Sequence, residues 1–126
     1  MGILSKLFGG GTPKVQPTSL NDDNFTEEVL QHRGVVLVDV WSDNCPPCMQ
    51  LEPIIMNLAN EYAGRAKVAE MRAAGAPRTA GRLGVRGTPT VLYFRNGELV
   101  DRVVGFRGSL FHRQTLDHLL GEDVPA

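Results

Sequence analysis

Seven residues, Val35-Val36-Leu37-Val38-Asp39-Val40-Trp41, form a short, β-branched and almost wholly apolar run that ends four residues before Cys45. A run of that length and content reads as a central strand covered on both faces. Beyond it, Leu51, Ile54, Ile55, Leu58 and Tyr62 recur at helical spacing, which predicts a long helix over 48–63 with Gly64 as its stop and a kink at Pro53. Strand and helix meet at Cys45-Pro46-Pro47-Cys48, which holds the only two cysteines of the 126 residues.

A disulfide that stabilises a fold closes a long loop, because the entropy it removes from the unfolded chain grows with loop length. Cys45 and Cys48 close a very short one. The pair is therefore better placed to exchange electrons than to staple a fold. A helix N-terminus offers unpaired N–H groups and the positive end of the helix dipole, and both favour a thiolate. A structural zinc site needs about four ligands, and His32, His112 and His118 are scattered along the chain, so no metal site is expected within one chain. A metal or iron–sulfur site shared between two chains stays open as an alternative.

The other elements follow from local signals. Asn21 to Asp23 are N-cap candidates for a helix near Phe25–His32, with Gly34 ending it. Ala66–Met71 is a second strand candidate and Pro77–Leu83 a short helix or turn. Thr90–Arg95 and Leu99–Val104 alternate as strands around Asn96-Gly97, a strong hairpin signal. Leu110, Leu116, Leu119 and Leu120 mark a C-terminal amphipathic helix. Early strands separated by helices must run parallel and the late pair antiparallel. The expected class is α/β, a central mixed β-sheet flanked by helices on both faces.

Composition adds limits. Apolar content of 42%, charged content of 21% and a net charge of −1 suit an ordinary globular domain and give no case for nucleic-acid binding. No stretch is apolar and long enough for a membrane span. Residues 1–18 read as a flexible leader and 19–126 as the folded domain. Ile3, Leu4, Leu7 and Phe8 would share one helical face, which allows a weak peripheral membrane contact of residues 1–8. No signal peptide is evident, so the expected location is the cytoplasm, where a dithiol sits mostly reduced. Residues 62–113 hold ten Lys/Arg against Glu70, Glu98 and Asp101, an asymmetry that predicts a preference for polar or acidic partners.

The chain resembles thioredoxin. Asp39-Val-Trp-Ser-Asp-Asn-Cys-Pro-Pro-Cys48, Pro53, Gly84-Val-Arg-Gly-Thr-Pro-Thr90, Asn96-Gly97 and Gly105 follow that family's order and spacing over about residues 19–120. The resemblance implies the thioredoxin fold and a thiol–disulfide oxidoreductase that reduces protein disulfides in cell redox homeostasis. It implies no cofactor beyond the Cys45–Cys48 disulfide itself, a monomer, and an upstream reductase of unknown type. Cys45 would be the exposed nucleophile and Cys48 the resolving thiol. Pro89 would be a cis-proline opposite them, with Thr88 presenting its backbone to the substrate. Trp41, Asn44, Pro46 and Pro47 would border the substrate site.

Asp39 carries an argument of its own. It interrupts an apolar strand, so burial should disfavour its charge and raise its pKa, leaving a carboxyl able to take the proton of Cys48. Departures from the family pattern are also informative. Pro46 replaces the usual glycine and, with Pro47, lacks an N–H, leaving the Cys48 N–H as the main backbone donor for the Cys45 sulfur. Asn44 stands where the family has a second tryptophan, and Glu70 where it has a lysine near the aspartate. Should Glu70 face Asp39, each carboxyl would raise the other's pKa. Two further alternatives remain, a disulfide oxidase or isomerase and a thioredoxin-fold binding module.

Overall fold

The structure, a computed structural model, describes residues 15–122. In chain order these form β1 (Thr18–Leu20), a single wide helical turn α1 (Thr26–Leu30), β2 (Val35–Trp41), α2 (Pro46–Glu61) and β3 (Ala66–Arg72). A short 3-10 turn then leads to α3 (Pro77–Arg82), β4 (Thr90–Arg95), β5 (Glu98–Val104) and α4 (Ser109–Leu119). The sheet order is β1-β3-β2-β4-β5. β1, β3 and β2 are mutually parallel, and β4 and β5 are antiparallel to their neighbours.

Alternation along β2 assigns its two faces. Val36, Val38 and Val40 pack with Phe25, Val29 and Ala76 on the side of α1 and α3. Val35 and Leu37 pack with Leu51, Ile55 and Leu58 of α2 and Leu116 of α4. By the same alternation Asp39 lies on the α2 face, among apolar neighbours. This is the expected mixed sheet with helices on both sides.

Several boundaries move. The expected leader ended at residue 18, but Thr18 opens β1, and Val15 exchanges backbone hydrogen bonds of 3.0 Å with the Asn60 amide in each direction. β1 gives little sequence signal because it has three residues and is held by backbone pairing, Thr18 opposite Ala69 and Leu20 opposite Met71. The proposed membrane contact of residues 1–8 lies outside the described residues. The helix expected near 25–32 is only Thr26–Leu30, closed by Gln31 N–H donating to Thr26 O at 2.9 Å. Asn21 Oδ1 accepts from the N–H groups of Asp23 and Asn24, at 2.8 and 2.9 Å, so it caps the turn before that helix. The long helix starts at Pro46 and ends at Glu61, two residues earlier than expected at each end, because Cys45 is its N-cap and Pro46 needs no N–H there.

The hairpin forms as expected, with Asn96 and Gly97 at φ 53° and 83° and Arg95 paired to Glu98. A Cβ on Gly97 would fall 2.2 Å from the carbonyl oxygen of Leu30. Gly97→Ala is therefore expected to destabilise the protein by about 2 kcal/mol, from the left-handed backbone and the displaced Leu30 turn together. A urea midpoint equal to that of the parent would contradict this packing.

The Arg-rich segment is less free than its composition suggests. Arg65, Lys67, Arg72, Arg78 and Arg113 pair with Glu122, Glu28, Asp43, Asp22 and Glu61, all acids from outside residues 62–113. Asp22 also accepts from Thr79 N–H and Thr79 Oγ1, at 2.8 and 2.7 Å, and so caps α3, which has no capping side chain of its own.

Candidate active site

Three elements converge on the two cysteines. β2 ends at Trp41, and the chain turns through Asn44, which adopts a left-handed φ of 53°. Cys45 then caps α2, and the loop before β4 carries Thr88 and Pro89, joined by a cis peptide bond. Cys45 and Cys48 are disulfide-bonded, with Cα atoms 5.2 Å apart.

The Cys48 N–H donates to Cys45 Sγ at 3.2 Å. Pro46 and Pro47 occupy the preceding helical positions without N–H groups, so this contact is the local backbone donor that the sequence left available. On the other side of Cys45 Sγ stand the carbonyl oxygen of Thr88, 3.7 Å away, and its hydroxyl, 3.8 Å away. The Thr88 hydroxyl shares a hydrogen bond of 2.5 Å with Ser42 Oγ, which fixes its rotamer. Both cysteines are buried, Cys45 at 8% and Cys48 at 5% exposure, so accessibility barely separates them in the disulfide form. Their surroundings do separate them. Cys45 faces Thr88, whereas Cys48 lines a cleft of about 530 Å³ that also reaches Asp39, Trp41, Glu52 and Glu70.

Asp39 is 4% exposed, and its Oδ1 has no hydrogen-bond partner among the described residues. Burial pushes its carboxyl up from 3.8 to about 7, and the negative charges of Glu70 and Glu52 add to that. The open question of Glu70 is answered by register. Asp39 and Glu70 are direct partners across β2 and β3, and both line the cleft. The Trp41 indole N–H donates to Glu70 Oε1 at 2.5 Å, which holds the side chain on that face.

The remaining expected residues fall around this centre. Trp41 and Asn44 line the cleft, Pro46 and Pro47 are exposed at the start of α2, and Pro89 is buried behind Thr88. Arg86 is exposed on the Thr88 loop. Ser42, Glu52 and Met49 were not anticipated. Glu52 had a signal, since it follows Cys48 by one helical turn and so shares its face of α2. Ser42 had none, because its role depends on a loop 46 residues away.

The arrangement can hold a nucleophilic sulfur at a helix N-terminus, a second sulfur one turn inside, and a proton acceptor behind it. Comparison with known proteins agrees with that chemistry. The family model described as Thioredoxin matches residues 16–116. The protein named Thioredoxin 2 from Chlorobaculum tepidum is 40% identical over 100 residues, covering 79% of this chain and 92% of the relative. Thioredoxin from Chlorobaculum thiosulfatiphilum is 43% identical over 67% of this chain and 78% of its own length. Thioredoxin from Thiocapsa roseopersicina is 44% identical over 64% of this chain and 88% of its own.

Proposed function

The chain belongs to the thioredoxin family and is a thiol–disulfide oxidoreductase acting on protein disulfides, and from that premise we propose which residue performs each step. The observation that carries the assignment is the position of Cys45 Sγ, which accepts the Cys48 N–H at the start of α2 beside the Thr88 carbonyl.

In the reduced protein the Cys45 thiolate attacks one sulfur of the substrate disulfide. A new S–S bond joins Cys45 to the substrate, and the other substrate sulfur leaves as a thiolate that takes up a proton. Thr88 aligns the substrate chain through its backbone, as an added strand would be held. Cys48 then gives its proton to the Asp39 carboxylate and attacks Cys45 Sγ. The Cys45–Cys48 disulfide forms, the second substrate sulfur leaves, and two electrons have passed to the substrate. The cleft joining Cys48 to Asp39 supports that proton route. The reaction uses the dithiol itself as its redox group, with no further cofactor.

The protein works as a monomeric reductant in the cytoplasm, recharged by an upstream reductase. A reducing compartment suits a lone dithiol of this kind. Among the described residues no helix is long and apolar enough to cross a membrane. Asn44 in place of a large aromatic makes the rim by Cys45 polar, so the reductase must dock without that apolar contact.

Limited alkylation of the reduced protein tests the assignment. Cys45 should be modified first, because the N–H of Cys48 and the end of α2 stabilise its thiolate while Cys48 lies beside the carboxyls of Asp39, Glu52 and Glu70. Peptide mapping that finds Cys48 labelled first would reverse the roles.

A further inference from the structure

The cleft beside Cys48 has an unbalanced charge. Asp39, Asp43, Glu52 and Glu70 line it, and no Lys, Arg or His does so among the described residues. Of these, Asp43 is already engaged, accepting from Arg72 Nε at 3.1 Å. Glu70 uses Oε1 for the Trp41 indole, and Glu52 is exposed at the rim. Asp39 is nine-tenths buried and more, with an oxygen that lacks any donor among the described residues. These carboxylates are not gathered as a metal-ion cluster. Met49, 68% exposed, and the half-buried Met56 give the same cleft an adaptable apolar wall.

A long cationic side chain matches both features, because it carries a charged head on a methylene stem. Resting on the reductase reading of Cys45 and Cys48, we propose that the cleft receives a Lys or Arg side chain of the substrate protein, its head against Asp39, Glu52 and Glu70 and its stem against Met49 and Met56. Such a residue would sit a few positions from the substrate cysteine, since each extended residue spans about 3.3 Å and the cleft begins at Cys48.

The seated cation does more than select. An opposite charge beside a buried carboxyl favours its ionised form. Occupancy therefore converts Asp39 into the anion that accepts the Cys48 proton, and a correctly placed substrate speeds its own release. This reverses the partner preference expected from the Arg-rich segment. Half of those cations are neutralised by ion pairs, and neither Arg86 nor Arg107 lines the cleft.

The test uses three disulfide-bonded peptides alike except for Lys, Gln or Glu three residues from a cysteine. Each is offered to the reduced full-length protein at low and high salt. At low salt the Lys peptide should be reduced roughly fivefold to tenfold faster than the Gln peptide and the Glu peptide slower, with the spread shrinking at high salt. In the Glu52→Gln/Glu70→Gln protein the Lys-to-Gln ratio should fall toward one. A ratio near one in the parent, an unchanged ratio in the double variant, or a faster Glu peptide would overturn the inference while leaving the reductase reading intact. Failure to reduce any of the three would remove the reading on which it rests. A readout independent of rate is the Asp39 carboxyl resonance in a mixed disulfide trapped with Cys48→Ser. Its titration midpoint should be lower with the Lys peptide than with the Gln peptide, and equal midpoints would also overturn the inference.

Discussion

Cys48→Ser protein, reduced and offered a disulfide-bonded substrate protein, is expected to stop after the first exchange and stay covalently joined through Cys45. Cys45 keeps its place at the head of α2 and the adjacent N–H of residue 48, so attack still occurs. Serine cannot form the second S–S bond, so turnover falls to background, a loss of roughly three orders of magnitude or more. Cys45→Ser should lose turnover equally but form little adduct, because Cys48 lies behind the turn without the Thr88 contacts. Non-reducing electrophoresis and peptide mapping of the adduct check both variants. An adduct of similar yield through Cys48 in Cys45→Ser would show that the two sulfurs are interchangeable.

Asp39→Asn should slow the resolving step and stabilise the fold, an opposite pair of effects that only a buried, functional base would produce. In the mixed disulfide Cys45 is uncharged, as it is in this structure, so the Asp39 titration near 7 applies to the resolving step. Resolution should lose about a hundredfold near pH 8, the lower end of what positioned proton transfer supplies, and its pH dependence around 7 should flatten. For stability the sign is set by the raised folded pKa. Ionising Asp39 costs nothing below its unfolded value of about 3.9, costs progressively more up to about pH 7, and the cost is constant above that. Removing the charge should recover up to about 4 kcal/mol at neutral pH by linkage, reduced to roughly 2 by the unpaired hydrogens that the amide brings.

His112 produces the opposite slope over nearly the same range. It is fully buried on α4 and shares a hydrogen bond between Nδ1 and the Tyr93 hydroxyl, and burial pushes it down to about 4. Its folded pKa is depressed, so its stability is complete above about pH 6.5 and declines as pH falls toward 4. In the parent the Asp39 slope opposes that of His112, to which the lowered pKa values of His32, Asp22, Glu28 and Asp43 add. In Asp39→Asn the opposing slope is gone, and stability should fall more steeply on acidification than in the parent. Urea unfolding at pH 7.5 and 4.5 measures this. A variant less stable than the parent at pH 7.5, with unchanged resolution kinetics, would sink the role given to Asp39.

Elements with local causes could be read directly from the residues. The apolar run of β2, the helical spacing of Leu51 to Leu58, the Asn96-Gly97 turn and the strand-to-helix position of the cysteines depend on side-chain preferences within a few residues. The donor left to Cys45 could be read in the same way, because two prolines delete the neighbouring N–H groups. Even the burial of Asp39 followed from its place inside an apolar strand. Contacts between partners far apart in the chain became visible only in the packed fold. Glu70 meets Asp39 because β2 and β3 pair in one register, and a shift of one residue would turn it to the other face. Thr88 reaches Cys45 across 43 residues, and Asp22 caps α3 across 57. The ion pairs that neutralise half the cations of the Arg-rich segment draw on acids outside it, and β1 exists because β3 offers an edge. Local preference cannot encode such contacts, since each depends on where the packed sheet and helices bring separate segments together.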